Sequence, residues 1–262
     1  MVNLKHLSVR SFEVIPDNFL ENCPFKIESL RWTDGREGSA DIILRFLANQ
    51  TELRRMHVDF HVPDQEYFLP LPACRNLQYI KGEFCAIRAL LPRRQVSTLV
   101  FQFRKFLGGA SMDALERLSK ELQQLKVLSI LRWPSVGMFN PCLSSISQYL
   151  AGLQYLEIHY EEPDLLDLMS QFTSLVGLIF RMLYNNLRSE LEEPRASSET
   201  GLFFMRCPTL QFIDIPVKVH ISRETHEHQR WIPTQSDRRV GMKVPQELFS
   251  CSDIEEHMAR PH

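Results

Sequence analysis

The sequence has no apolar secretory core at its Met-Val-Asn-Leu-Lys-His start, and no stretch comes near the roughly 18 consecutive apolar residues of a membrane helix. It has no C-x-x-C pair among its six cysteines, which argues against a zinc ribbon or a disulfide scaffold; reduced thiols fit a cytoplasmic or nuclear protein. It has no excess of charge: 30 basic and 32 acidic residues leave −2, so no global field recruits nucleic acid or an anionic membrane. Gly-x-Ser-x-Gly, His-Glu-x-x-His and the dinucleotide fingerprint are missing, and Gly108-Gly109 before Ser111 lacks the Lys-Ser/Thr of a phosphate loop. The paired carboxylates Glu161-Glu162 and Glu192-Glu193 stand beside prolines in expected loops, where no pocket would raise a pKa. A chain without catalysis and without a cofactor is expected.

What is present is a recurrence. The pattern of a leucine-like residue, two residues, another, one residue, then a β-former occurs nine times. It runs Leu4, Leu7, Val9; Ile27, Leu30, Trp32; Leu53, Met56, Val58; Leu77, Ile80, Gly82; Val96, Leu99, Phe101. It continues with Leu125, Leu128, Ile130; Leu153, Leu156, Ile158; Leu175, Leu178, Phe180; and Leu210, Ile213, Ile215. Successive units start about 26 residues apart on average, within the leucine-rich-repeat window of roughly 20–29. Cys23, Cys74 and Cys207 each stand three or four residues ahead of a unit's first apolar position, which predicts a buried turn entering the strand.

Between the strands lie helical patterns. Ser39 to Gln50 puts Ile42, Ile43, Phe46 and Leu47 on one face, and Asp113 to Gln124 does the same with Leu115, Leu118 and Leu122. Cys142 to Ala151, Asp164 to Phe172 and a shorter Thr200 to Arg206 follow. Strand and helix alternating at one period predict parallel strands, because a parallel pair needs a crossover connection. The expected fold is therefore α/β: a leucine-rich-repeat solenoid, or horseshoe, with a parallel concave sheet and irregular helical returns. The array is read over residues 1–219, with 220–262 as a polar tail or C-terminal cap, partly disordered. Asn185 to Glu199 reads as a polar insertion, and Gly82 as a weak point in the core.

Units such as Asn76-Leu-Gln-Tyr-Ile80 and Cys207-Pro-Thr-Leu-Gln-Phe-Ile-Asp-Ile215 resemble the irregular repeats of the F-box/leucine-rich-repeat family (ribonuclease-inhibitor-like), fungal type, across roughly residues 1–216. The resemblance implies the substrate-recognition part of a ubiquitin ligase receptor: the repeats would hold a protein target on the concave face. An F-box would dock a Skp-type adaptor and a cullin complex. The first unit begins at Leu4 and no F-box is recognisable, so that docking is expected only if an F-box lies upstream. The family's usual asparagine or cysteine, eight residues after the first leucine, is matched by Cys85 alone. The alternatives are a repeat fragment of another regulator, such as an intracellular immune receptor, or a metal-dependent enzyme using the C-terminal histidines.

The residues between the signature positions must face the inner wall. They and their neighbours at the strand ends make the expected partner-binding set: Arg31, His57, Asp59, Phe60, Tyr79, Lys81, Phe84, Arg132, Tyr155, Glu157, His159 and Tyr160. Tyrosine, arginine and other aromatics on such a wall match the usual composition of interface hot spots. His220, His226 and His228, with Glu224 and Glu227, invite a metal, but H-x-H without a second paired motif falls short of the four fixed ligands of structural zinc. No metal is expected there.

Overall fold

A computed structural model describes residues 4–11, 16, 20, 23–34, 40–59, 69–70, 73–103, 116–132, 141–159, 165–181, 193–220, 225–235, 237–244 and 249–251. The protein is α/β with mostly parallel strands, and divides into two compact units, Met1–Leu125 and Lys126–His262.

In the first unit the strands are β1 (His6–Ser11), β2 (Ser29–Asp34), β3 (Arg55–Asp59), β4 (Tyr79–Gly82) and β5 (Thr98–Phe103), each parallel to the next. Their register aligns the signature in two rows, Leu7–Leu30–Met56–Ile80–Leu99 and Val9–Trp32–Val58–Gly82–Phe101. From β2 onward every member of both rows is buried, because alternate side chains of a strand share one face. Gly82 belongs in this row for a reason invisible in the sequence. A Cβ there would lie 2.5 Å from the Val58 carbonyl oxygen, so the neighbouring backbone occupies the space a side chain would need.

Helices return the chain between strands. In α1 (Ala40–Ala48), Ile42, Ile43, Phe46 and Leu47 are buried as their spacing predicts. α2 (Phe84–Leu90) has no counterpart in the sequence reading: Phe84, Ala86, Ile87, Ala89 and Leu90 are buried, so no polar stripe marks its period. Within the predicted 113–124 helix, the described helical residues are α3 (Ser119–Leu122), with Leu118 and Leu122 buried.

The turns into the strands repeat. The backbone N–H of Leu77, Leu125, Leu153, Leu175 and Leu210 donates to the carbonyl three residues earlier, of Cys74, Leu122, Leu150, Phe172 and Cys207. At three such turns the side chain before the strand links successive units. The Cys74 thiol donates to the Leu47 carbonyl, and the Cys207 thiol to that of Phe172. Gln50 takes the same position: its side-chain oxygen accepts from the Ile27 N–H at 3.1 Å and its amide donates to the Phe25 carbonyl at 3.2 Å. Beside the strand ladder, side-chain links between units here come from before the strand, at Gln50, Cys74 and Cys207. Cys85, the sequence match to the position after it, instead lies in α2 near the Glu83 carboxylate.

The second unit holds β6 (Val127–Arg132), α4 (Pro141–Ile146) running into a 3₁₀ turn, β7 (Tyr155–His159), α5 (Leu165–Leu168) with a second 3₁₀ turn, and β8 (Gly177–Arg181). Then follow α6 (Glu193–Arg206), β9 (Phe212–His220), β10 (Thr225–Pro233), β11 (Gly241–Lys243) and β12 (Phe249–Cys251). β6 to β9 are parallel, whereas β10 pairs antiparallel with β9, β11 and β12. Only four residues separate β9 from β10, too few for the crossover a parallel strand needs. The ladder shifts register between Glu227 and His228, leaving Val217 exposed beside Pro216, which has no N–H to give. The stretch read as a polar insertion to Glu199 is helical from Glu193. Thr200, Gly201 and Phe204 form a buried face of α6, and the Ser197 hydroxyl donates to the Gly241 carbonyl of β11 at 2.7 Å.

Candidate functional site

The face of β1–β5 opposite the signature rows is assembled by the same register. One row runs His6–Ser29–Arg55–Tyr79–Thr98, the next Ser8–Arg31–His57–Lys81–Val100, and a third aligns Arg10, Thr33 and Asp59. Neighbouring members of a row are about 4.8 Å apart. Arg31 is exposed, His57 and Lys81 are half-buried, and Arg10 and Arg55 are exposed. Tyr79 is only 6% exposed, with the Arg55 guanidinium 4.4 Å from its ring centre. That stacking holds a cation over an aromatic face in an orientation a lysine would not adopt as readily. Towards β5 the face closes: Thr98 and Val100 are both buried.

The equivalent face of β6–β9 has another character. Val127, Ile179 and Phe212 form a buried cluster with Tyr155, Val176 and Ile232 packed against it. Beside it lie charges that meet within the chain. Glu157, 1% exposed, accepts hydrogen bonds from the Ser129 hydroxyl and the Arg181 Nε. Asp214, 0% exposed, takes Arg230 Nε and Nη2 on its two carboxylate oxygens, both at 2.8 Å, and the same guanidinium lies 3.9 Å from the Phe212 ring centre. Fully buried ions of this kind persist only when each is matched and hydrogen-bonded.

The expected partner-binding residues thus fall into four groups. Arg31, His57, Tyr79 and Lys81 lie together on the first face, and Tyr155 and Glu157 on the second, where Tyr155 leans on Phe212 and Glu157 is occupied by Ser129 and Arg181. Phe84 is not on either face: it opens α2 and is buried. Phe60 and Tyr160, and the side chains of Asp59, Arg132 and His159, lie outside the described residues. Sequence reasoning missed Ser129, Arg181, Asp214 and Arg230. Asp214 carried a signal, a charge between Ile213 and Ile215 in a strand; Arg230 did not, since it sits in a segment of mixed polar composition.

The histidines of the C-terminal segment are drawn into backbone pairing. His228 is buried with its Nε2 3.2 Å from the Phe180 carbonyl oxygen, and His226 pairs with Val219 and Cys251. Among the described residues no three His, Cys, Asp or Glu side chains converge, and no helix is long and apolar enough to cross a membrane. No protein-family model matches the chain, and no curated protein matches it either.

Proposed function

We propose that this chain is a non-catalytic protein-interaction module of the leucine-rich-repeat solenoid type, serving as the substrate-recognition part of an F-box-type ubiquitin ligase receptor. The partner sits on the open strand face of Met1–Leu125. One observation carries the reading. Parallel strands seal one face with Leu30, Trp32, Met56, Val58, Ile80 and Leu99, while the other presents Arg31, His57 and Lys81 in a single row. A sheet buried on one side and polar on the other, built from stacked units, is the arrangement repeat proteins use for extended recognition. The second face, filled by its own ion pairs and aromatic cluster, serves cohesion.

A photo-crosslinking residue placed at Ser8 or Thr33, on the face, and at Arg45, on the exposed side of α1, tests this in the cells that express the chain. A protein adduct from the first two positions and none from Arg45 is expected. Adducts from Arg45 alone, or none from the face, would reject the wall as the binding surface. Co-purification of a Skp-type adaptor with the full-length product tests the ligase part separately, and its absence would leave a binding module without that connection.

A further inference from the structure

The two strand faces handle charge in opposite ways. In Lys126–His262, among the described residues, the buried carboxylates are met by guanidinium groups of the same chain, Glu157 by Arg181 and Asp214 by Arg230. In Met1–Leu125 the row Ser8–Arg31–His57–Lys81 carries cations, and among the described residues neither Arg31 nor Lys81 has a hydrogen-bond or ion-pair partner. Arg10 and Arg55 stand on the flanking rows. Arg31 and Lys81, exposed or half-exposed cations without an internal partner among the described residues, are suited to an anion from outside.

We propose that the Arg31–Lys81 row binds an extended acidic segment of the partner protein. This rests on the preceding reading of that face as protein-binding. Arg31 and Lys81 are two strands apart, about 10 Å at the usual spacing, with His57 between them. An extended chain presents same-side side chains about 7 Å apart, and the long arginine and lysine stems close the difference. Beside the row the Arg55 guanidinium, held over the nearly buried Tyr79 ring, adds a planar cationic surface. The row is short, which decides between classes of anion. It ends at Ser8 on β1 and at the buried Val100 on β5, and the chain carries −2 overall. Nucleic acid is held by many phosphate contacts along a basic stripe, and an anionic bilayer by clusters of about four to eight cations. A pair of glutamates or aspartates needs no more than this row supplies.

The test uses the full chain and a fluorescently labelled Glu-Ser repeat peptide, read by anisotropy at about 50 mM salt and again at about 0.5 M, where surface charges are screened. Saturable binding that weakens at high salt is expected. Arg31→Glu with Lys81→Glu should lower affinity by about tenfold or more at unchanged circular dichroism and melting temperature, and should gain binding of a Lys-Ser peptide. Arg31→Lys with Lys81→Arg should keep most of the affinity. Failure of the wild-type chain to bind Glu-Ser, equal binding by the charge-reversed variant, or tighter binding of oligodeoxythymidine or phosphatidylserine vesicles would overturn the proposal. If Ser8 still yields a protein adduct while the acidic probe fails, only the partner's chemistry is wrong; if both fail, the face itself is not the site.

Discussion

Cys74 adopts a φ of 51°, in the left-handed region that residues with a Cβ rarely enter. Such a conformation costs about 1–3 kcal/mol and persists only where the surroundings fix it. Here the fixing contacts are specific. The Cys74 N–H donates to the Gln50 carbonyl at 2.8 Å, its thiol reaches the Leu47 carbonyl, and the buried Arg94 guanidinium gathers the carbonyls of Pro70, Ala73 and Pro92. Burial also pushes the Cys74 thiol up to about 12, partly offset by the charge of Arg94. Because the folded pKa is raised above its ordinary value of 9.0, the neutral thiol's contribution to stability is complete below about pH 9 and is lost as pH climbs towards 12. At pH 8 the native protein should therefore leave Cys74 unlabelled by a thiol reagent until denaturant is added, as peptide mapping after alkylation would show. Rapid native labelling of Cys74 would mean the turn is open.

At the scale of elements, the second unit joins its strands with side chains as well as backbone. Arg181 on β8 reaches Glu157 on β7, which also receives Ser129 from β6, so three parallel strands share one carboxylate. Removing one partner strands the other charge in a water-poor setting. Arg181→Met should therefore cost about 3–5 kcal/mol in urea unfolding. The double change of Arg181→Met with Glu157→Leu should recover a large part of that loss, since no buried charge is left unmatched. A double variant as unstable as the single one would show that the arginine's packing, not its charge, is what counts. This network was barely legible beforehand. Tyr155 and Glu157 read as surface because alternation places them on the inner face, whereas Val127, Ile179, Phe212 and Ile232 of β10 bury part of that face.

For the molecule as a whole, the chain divides into two compact units, Met1–Leu125 and Lys126–His262. Gly82→Ala, forced against the Val58 carbonyl, should cost about 1–3 kcal/mol. It belongs to the first unit, the Glu157–Arg181 pair to the second. In a chain carrying Gly82→Ala and Arg181→Met together, the two losses should add to within about 0.5 kcal/mol by equilibrium denaturation. A larger discrepancy would show that the two positions are energetically coupled. The strands, their parallel order from β1 to β5 and from β6 to β9, and the core rows were written in the spacing of leucine-like residues, because burial on one face of a strand demands every second side chain. So were α1 and the turns at Cys74 and Cys207. The sequence could not say which polar inner positions stay open and which are enclosed, nor that α2 exists. Nor could it show that the chain after His220 turns back antiparallel. Those outcomes depend on which distant segments come to lie against a face, and periodicity along the chain records only what each residue's immediate neighbours require.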